Sequence, residues 1–287
     1  MTDSYRVYTK VLKMLKKMLK LDHQGQVVTL AMMIAGVVMS RNAQLSAMSS
    51  EIPTDTQEKS IEMRLRRWVQ SEIDVEAVYM PFARQILAVL AHLPLVLVMD
   101  GSQVGRNCMA LMVGVVYQKR ALPIAWLVYT GKKGHASAER HIQALEKVIP
   151  LLPEGGEVVL LGDAEYDTTE MLAWMKKNTV WHYALRTSPQ IYVQDGQKQQ
   201  PIRDYPLKKG GLFHLHQVGF TQTANLTLNV IGWWASRYDE PIFLVTNMPN
   251  AYQACRYYRR RFRIETFFSD QKSRGFNIHK SHLSDPA

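Results

Sequence analysis

Cysteine is nearly absent. Cys108 and Cys255 are the two in 287 residues, too few for a disulfide framework or a thiolate zinc site, and their scarcity fits a reducing, cytosolic compartment. Long apolar runs are missing too. Val27–Ser40 is too short to span a bilayer, and Leu87–Met99 contains His92 and Pro94, so a membrane-spanning chain is not expected. Residues 1–20 are lysine-rich from the start and lack the apolar core of a secretory signal. No HExxH, GxGxxG or GKS/T occurs, which removes support for a metalloprotease or a nucleotide-binding loop. The nine histidines form no i,i+4 pair on an expected helix. His214 and His216 alternate on one strand face, but without a third ligand they are read as exposed strand residues rather than a zinc site. No internal repeat or low-complexity tract is visible.

What is present in excess is positive charge. The net charge is +10, while 47% apolar and 21% charged residues make an ordinary globular balance with ample material for a core. A basic chain suggests a polyanionic partner, most simply nucleic acid; an unspecialised basic surface is the competing reading. The excess sits at the ends. Arg6, Lys10, Lys13, Lys16, Lys17 and Lys20 oppose Asp3 alone in the first twenty residues, and residues 251–287 hold eight basic residues against Glu265, Asp270 and Asp285. The stretch between them is neutral, which points to a placed interaction surface. Val7, Val11, Met14 and Met18 form one helical stripe with lysines opposite. That lysine face is either solvated or contacts DNA, with membrane association a weaker alternative.

Residues 5–92 read as helical throughout. Val27–Ser40, apolar all round, suits a buried helix. Ser60–Glu72 places Ile61, Leu65 and Trp68 on one face and offers Arg64, Arg66 and Arg67 as a second phosphate-contacting surface. At residue 95 the pattern changes. Leu95–Met99 is a strand running into a turn at Asp100-Gly101, and Met109–Tyr117 and Ile124–Tyr129 complete a three-strand meander. Ser137 opens a helix that Pro153 and Gly155 end; Glu157–Leu161 is a strand ending in Gly162-Asp163; Thr168–Lys177 is a second helix and Trp181–Leu185 a fifth strand. The order βββαβαβ predicts an α/β core with a mixed sheet. Residues 190–246 are polar, turn-rich and strand-like, and a single long helix resumes from Ala251 to about Gly275.

Asp100 and Asp163 each fall at the C-terminal end of an apolar strand, where ligands of α/β sheets commonly bind. One such residue is usually a turn or cap residue. Two at matching places suggest converging carboxylates, which repel unless a cation separates them, so a hard divalent metal follows. The last helix adds a sharper pattern. At about 100° per residue, Tyr258, Glu265 and Lys272 all fall within roughly 60° of Arg261, beside an apolar face of Tyr257, Ile264, Phe267 and Phe268. Read alone, Arg261 and Glu265 are a surface i,i+4 ion pair of little value.

With those residues in view, the chain resembles a DDE insertion-sequence transposase of the insertion-sequence-four group, whose signature is Tyr, two residues, Arg, three residues, Glu, six residues, Lys. Tyr258, Arg261, Glu265 and Lys272 match it with every gap correct. The family's first two acids fall on Asp100 in LVLVMDGS and Asp163 in VVLLGDAEYD. The resemblance implies an RNase H-like mixed-sheet catalytic core over 93–287, interrupted by a β-rich insertion at about 190–246, after an N-terminal helical, DNA-binding domain at 1–92. It implies that Asp100, Asp163 and Glu265 hold two Mg²⁺ ions, with Mn²⁺ substituting, for two-metal hydrolysis and strand transfer of a phosphodiester. Tyr258, Arg261, Lys272 and Arg186 would contact DNA phosphates. The implied partners are double-stranded DNA, both terminal inverted repeats and target, and further copies of the chain in a synaptic complex. The implied place is the bacterial cytoplasm, nucleoid-associated when bound to DNA.

Smaller readings accompany these. Glu165 is taken as a loop carboxylate rather than a residue near the metals. Trp233 or Trp234 either stacks on a flipped base or packs in the core. Relatives continue past the signature helix, whereas this sequence stops soon after Lys272, so it reads as a truncated copy, a fragment or one half of a frame-disrupted gene, with Phe267 and Phe268 short of cover. The rival functions are an RNase H-like structure-specific nuclease and an inactive remnant that only binds DNA.

Overall fold

The computed structural model describes residues 2–19, 24–132, 134, 136–223, 225–272 and 274–278. Lys20 and the terminal stretch Ser281–Ala287, on which the expectation of a short end rests, lie outside the described residues.

Helices α1 (Asp3–Met18), α2 (Gln24–Ser40), α3 (Leu45–Ser49), α4 (Glu58–Val69) and α5 (Val75–Leu90) occupy the first ninety positions. The Thr2 hydroxyl caps α1 by accepting from the Tyr5 N–H, and Asp74 caps α5 by accepting from Ala77. Helix α2 is apolar all round because it is covered on two sides. Val27 and Ala31 meet Leu15 and Leu19 of the α1 segment, while Met32 meets Met48, Ile61 and Leu65. Gly36 permits that second contact, since a Cβ there would stand 2.9 Å from the Met48 Cβ.

Two expectations for this region need correction. The seam of α1 is Tyr8, Val11, Leu12 and Leu15; of the expected stripe Val11 belongs to it, Val7 and Met18 are half-buried, and Met14 is 45% exposed. Both stripes are apolar, and the leucines win because they face α2. On α4, the Arg64 Nε donates to the Thr29 hydroxyl at 2.9 Å and its Nη2 to the Gly25 carbonyl at 3.3 Å, so it ties α4 to α2. Arg66 is paired with Glu62 at 2.7 Å. Arg66 and Arg67 remain exposed, so the expected arginine surface loses Arg64 alone.

The remainder is built on one sheet. Strands β1 (Leu95–Gly105), β2 (Cys108–Tyr117) and β3 (Arg120–Thr130) form the meander, followed by α6 (Ala138–Val148), β4 (Val158–Gly162), α7 (Thr169–Asn178) and β5 (His182–Arg186). This is the expected βββαβαβ order of an RNase H-like mixed-sheet core. Next come β6 (Tyr192–Asp195), β7 (Lys198–Pro201), β8 (Leu212–Phe220), β9 (Leu226–Trp233) and β10 (Ile242–Thr246), the β-rich segment, and then α8 (Ala251–Tyr258) and α9 (Arg263–Gln271). The sheet order is β3-β2-β1-β4-β5-β10-β9-β8-β6-β7. Strands β1, β4 and β5 are mutually parallel, and β10 joins β5 antiparallel, so the inserted strands extend the same sheet.

The period of two along a strand divides the core. Leu95, Leu97 and Met99 face the side that carries Leu87, Leu145 and Met171 from α5, α6 and α7. Val96 and Val98 of β1, with Val159 and Leu161 of β4, face the other side, against Ala254, Tyr258, Ile264 and Phe268 of α8 and α9. Two residues further on, Asp100 and Asp163 continue the second set. The sequence alternation therefore aims both acids at α8 and α9.

Strand β1 does not stop at Met99. Its pairing with β2 continues through Asp100↔Met112, Gly101↔Leu111 and Ser102↔Ala110, whereas the parallel ladder with β4 ends at Val98↔Leu161. Asp100 is thus inside a strand but just past the end of the parallel ladder. Nor is the final helical region continuous. Residues 259–262 form a tight turn closed by i→i+3 bonds, Arg260 N–H to Tyr257 C=O at 2.8 Å and Arg261 N–H to Tyr258 C=O at 2.9 Å. This overwinds the chain relative to an α-helix. Helix α9 then lies against β1, β2 and β3 and buries Phe268 at 8% exposure, so the uncovered Phe267–Phe268 patch expected from sequence is largely absent.

Candidate active site

A cavity of about 690 Å³ opens where the parallel ladder of β1, β4 and β5 ends, beneath the α8–α9 turn. Its walls include Asp100, Asp163, Glu265, Arg186, Arg261 and Lys272. Each side chain is delivered by a different local device. Asp100 is 8% exposed and its Oδ1 accepts the Gly101 N–H at 2.8 Å. Asp163 follows the last residue of β4 and starts a short 3₁₀ turn, its Oδ1 accepting from Ala164 at 3.0 Å. Gly162 before it is fixed by packing, since a Cβ there would lie 2.9 Å from the Tyr166 ring and 3.1 Å from Leu185. Glu265 sits in the first turn of α9, where a carboxylate also suits the helix dipole.

Arg261 is at the centre. It is only 5% exposed. Its Nη2 donates to Glu265 Oε1 at 2.8 Å, and its Nη1 lies 3.9 Å from Asp100 Oδ2 and 4.0 Å from Asp163 Oδ2. One guanidinium therefore bridges all three acids, while its Nε is buried without a partner. Burial alone would lower its pKa. The charges of Tyr258, Asp163, Glu265 and Asp100 outweigh that, and the net shift is upward. Tyr258 is 1% exposed with its ring 5.9 Å from the guanidinium, and burial pushes its phenol up to about 12. Arg186 ends β5 and stands 3.9 Å from Asp163 Oδ1. Lys272 caps α9 at the cavity rim.

Glu165 also lines this cavity. Its Oε1 accepts the Ala136 N–H at 3.3 Å and lies 3.9 Å from Nε2 of the fully buried His141, whose ring packs edge-on against Tyr166. Reading Glu165 as a loop residue understated its position; the available signal was its spacing of two from Asp163 across a 3₁₀ turn. His141 carried no sequence signal at all. Four carboxylates thus face three cations around the cavity, a nearly compensated site. Asp167 follows the 3₁₀ turn that Asp163 starts. Burial raises its carboxyl to about 6, opposed by the Thr187 hydroxyl and its own backbone N–H and aided by the charge of Asp163.

A second cavity of about 410 Å³ shares Arg186, Thr187 and Pro189 with the first and is lined by Trp234. Trp234 donates its indole N–H to the Tyr238 carbonyl at 3.1 Å, whereas Trp233 packs edge-on against the Tyr238 ring. The His214 and His216 rings lie 3.7 Å apart between centroids, tilted by 47°.

Residues 95–287 match the family profile of the transposase DDE domain. The chain belongs to that family. Its fold is similar to a solved piggyBac transposase, in a synaptic complex with hairpin DNA, with a TM-score of 0.51 at 11% identity over 93% of this chain. The chain spans 65% of the length of that protein. No curated protein matches it.

DDE transposases use divalent metal ions. The donor types around this cavity, all carboxylate oxygens, fit a hard divalent cation. Their spacing in this state does not. Among the described residues no three His, Cys, Asp or Glu side chains stand close enough together to hold a metal ion, and the Arg261 guanidinium stands among Asp100, Asp163 and Glu265. Among the described residues, no helix is long and apolar enough to cross a membrane.

Proposed function

We propose that the chain is a DNA transposase of the insertion-sequence-four group that cuts transposon-end DNA and joins it to a target. The observation that carries this reading is the gathering of Asp100, Asp163 and Glu265 with Arg186, Arg261 and Lys272 on one cavity at the strand ends, in a chain of the DDE family. The spacing of Tyr258, Arg261, Glu265 and Lys272 supports the finer group. Asp100, Asp163 and Glu265 would hold Mg²⁺, with Mn²⁺ as a substitute, and the bound ions would supply Lewis-acid activation of the scissile phosphodiester.

The chain's own contribution is charge and placement. Arg186 and Lys272 present cations at the cavity wall and would hold the phosphates flanking the scissile bond. Tyr258 is inaccessible and acts through Arg261, bracing it from below. Trp234 is the better placed of the two tryptophans to stack on an unpaired base, because its cavity adjoins the acids. The helices of residues 1–92 would form a DNA-binding domain, with Lys10, Lys13, Lys16 and Lys17 exposed along α1. Terminal inverted repeats, a target duplex and further copies of the chain would be its partners, on bacterial DNA in the cytoplasm.

The test is cleavage and joining of duplexes carrying the repeats that flank the gene, in Mg²⁺. The wild-type protein should nick at the repeat end and transfer the freed 3′ end, and Asp163→Asn and Glu265→Gln should do neither while remaining folded. Cleavage without joining would favour the structure-specific nuclease. Binding without cleavage would favour the inactive remnant, and cleavage unaffected by both substitutions would refute the site.

A further inference from the structure

We propose that Arg261 is the resident counter-cation of the acid cluster, and that its guanidinium must leave the carboxylates before a divalent ion can engage them. The inference rests on the reading of Asp100, Asp163 and Glu265 as metal ligands and adds how that site is kept and opened.

Three carboxylates gathered on one cavity wall repel one another, most strongly at Asp100, the one that is buried, while Asp163 and Glu265 are partly exposed. Here the compensation comes from within the chain. The Arg261 side chain is almost wholly buried, donates to Glu265 at 2.8 Å and stands about equally far from Asp100 and Asp163, at 3.9 and 4.0 Å. A planar fork of donors suits this three-way bridge, and lysine would not reproduce it. The same position is the one a divalent ion would need, because ligand oxygens close on a magnesium at about 2.1 Å. A guanidinium among them keeps the oxygens too far apart and repels the incoming cation.

Arg261 also has somewhere to go. Its Nε is buried with no partner, and the side chain lines the same open cavity as Arg186 and Lys272. A phosphate entering there would offer the guanidinium a bidentate acceptor outside the acid cluster. Charge counting agrees. With Arg261 in place the four acids and three bases of the cavity nearly cancel, so metal entering without an anion would build up positive charge. Arrival of a phosphate and loading of the metal are thereby coupled through one side chain, and the acids stay assembled in the absence of both.

The test uses Mn²⁺ alone as probe, with the full chain first stripped by chelator. Free Mn²⁺ is followed by electron paramagnetic resonance for wild type and Arg261→Gln, and the thermal midpoint of each is measured in chelator. Arg261→Gln should bind Mn²⁺ about tenfold tighter or more, since a competing cation is gone, and should melt lower in chelator, since the acids have lost their counter-charge. Equal or weaker Mn²⁺ binding by a folded Arg261→Gln overturns the inference while leaving the metal reading intact. No Mn²⁺ binding by either protein, or binding insensitive to Asp163→Asn, overturns the metal reading and the inference with it. Wild type alone gives a second readout should the variant misfold. The ¹⁵Nε resonance of Arg261 should shift as Mg²⁺ is added, and an unmoved resonance in the Mg²⁺-bound protein refutes displacement.

Discussion

Replacing Asp167 with asparagine should stabilise the protein at neutral pH and leave it unchanged in acid. Asp167 lies between the 3₁₀ turn after β4 and the start of α7, and its burial raises the carboxyl from 3.8 to about 6. A folded-state pKa above the unfolded one means that the native state binds the proton more tightly. The contribution of this group to stability is therefore complete below pH 3.8 and is lost as pH rises through 6. A shift of about two units corresponds to roughly 3 kcal/mol at the upper limit. The side chain is half-buried rather than sealed and water screens part of this, so a working figure is about 1–2 kcal/mol. Asparagine keeps the shape and the acceptor that faces Thr187 but cannot ionise. Urea unfolding in chelator at pH 4.0 and pH 8.0 isolates the effect, because every other carboxylate is common to both proteins. The midpoint difference between Asp167→Asn and wild type should be near zero at pH 4.0 and favour the variant at pH 8.0. A variant that is less stable than wild type at pH 8.0, or equally offset at both pH values, would refute the reasoning and mark the carboxylate as a partner that the fold needs ionised.

Gly162→Ala should cost about 1–3 kcal/mol, read as a lower thermal midpoint, because its methyl meets Tyr166 and Leu185 at 2.9–3.1 Å; it should also lower end cleavage by moving Asp163, and a neutral effect on both would show that the turn has slack. Lys272→Ala should weaken binding to end duplexes and reduce the slope of log affinity against log salt by about one, measured by fluorescence anisotropy, and an unchanged slope would remove it from the phosphate contacts. Lys13→Glu with Lys17→Glu, both exposed on α1, should weaken duplex binding without altering the melting midpoint by more than about 0.5 kcal/mol equivalent; unaltered binding would return that face to solvent.

The sheet core was legible because its signals are local. Continuous apolar runs ending in Gly162-Asp163 and passing through Asp100, the Ser137 cap and the turn residues between strands each act within a few positions, and together they dictate βββαβαβ. What escaped was set at a distance. Asp100 looks like the end of a strand because Asp and Gly are turn residues, yet the register with β2 carries the strand on to Gly105. The seam of α1 has two apolar stripes, and only the position of α2 chooses between them. Arg64 reads as a surface arginine until Thr29 and the Gly25 carbonyl are brought beneath it.

The same distinction explains the signature helix. A helical wheel treats residues 258–272 as a rod and makes Tyr258, Arg261, Glu265 and Lys272 equivalent members of one strip. No glycine or proline between Tyr257 and Ile264 warns of a break. The break goes with a contact made across the fold, for the turn at 259–262 carries Arg261 inward until its charge meets Asp100 on β1 and Asp163 just after β4. Once turned, the four residues differ in depth. Tyr258 is sealed below, Arg261 is buried among the acids, and Glu265 and Lys272 stand at the rim, Glu265 with half of its side chain exposed. Fixed spacing in the sequence thus specifies a vertical arrangement rather than a surface strip. Because the guanidinium is the group at the level of both aspartates, substitution of Arg261 should disturb the apo state of the acids more than substitution of Lys272, although the two look alike on the wheel.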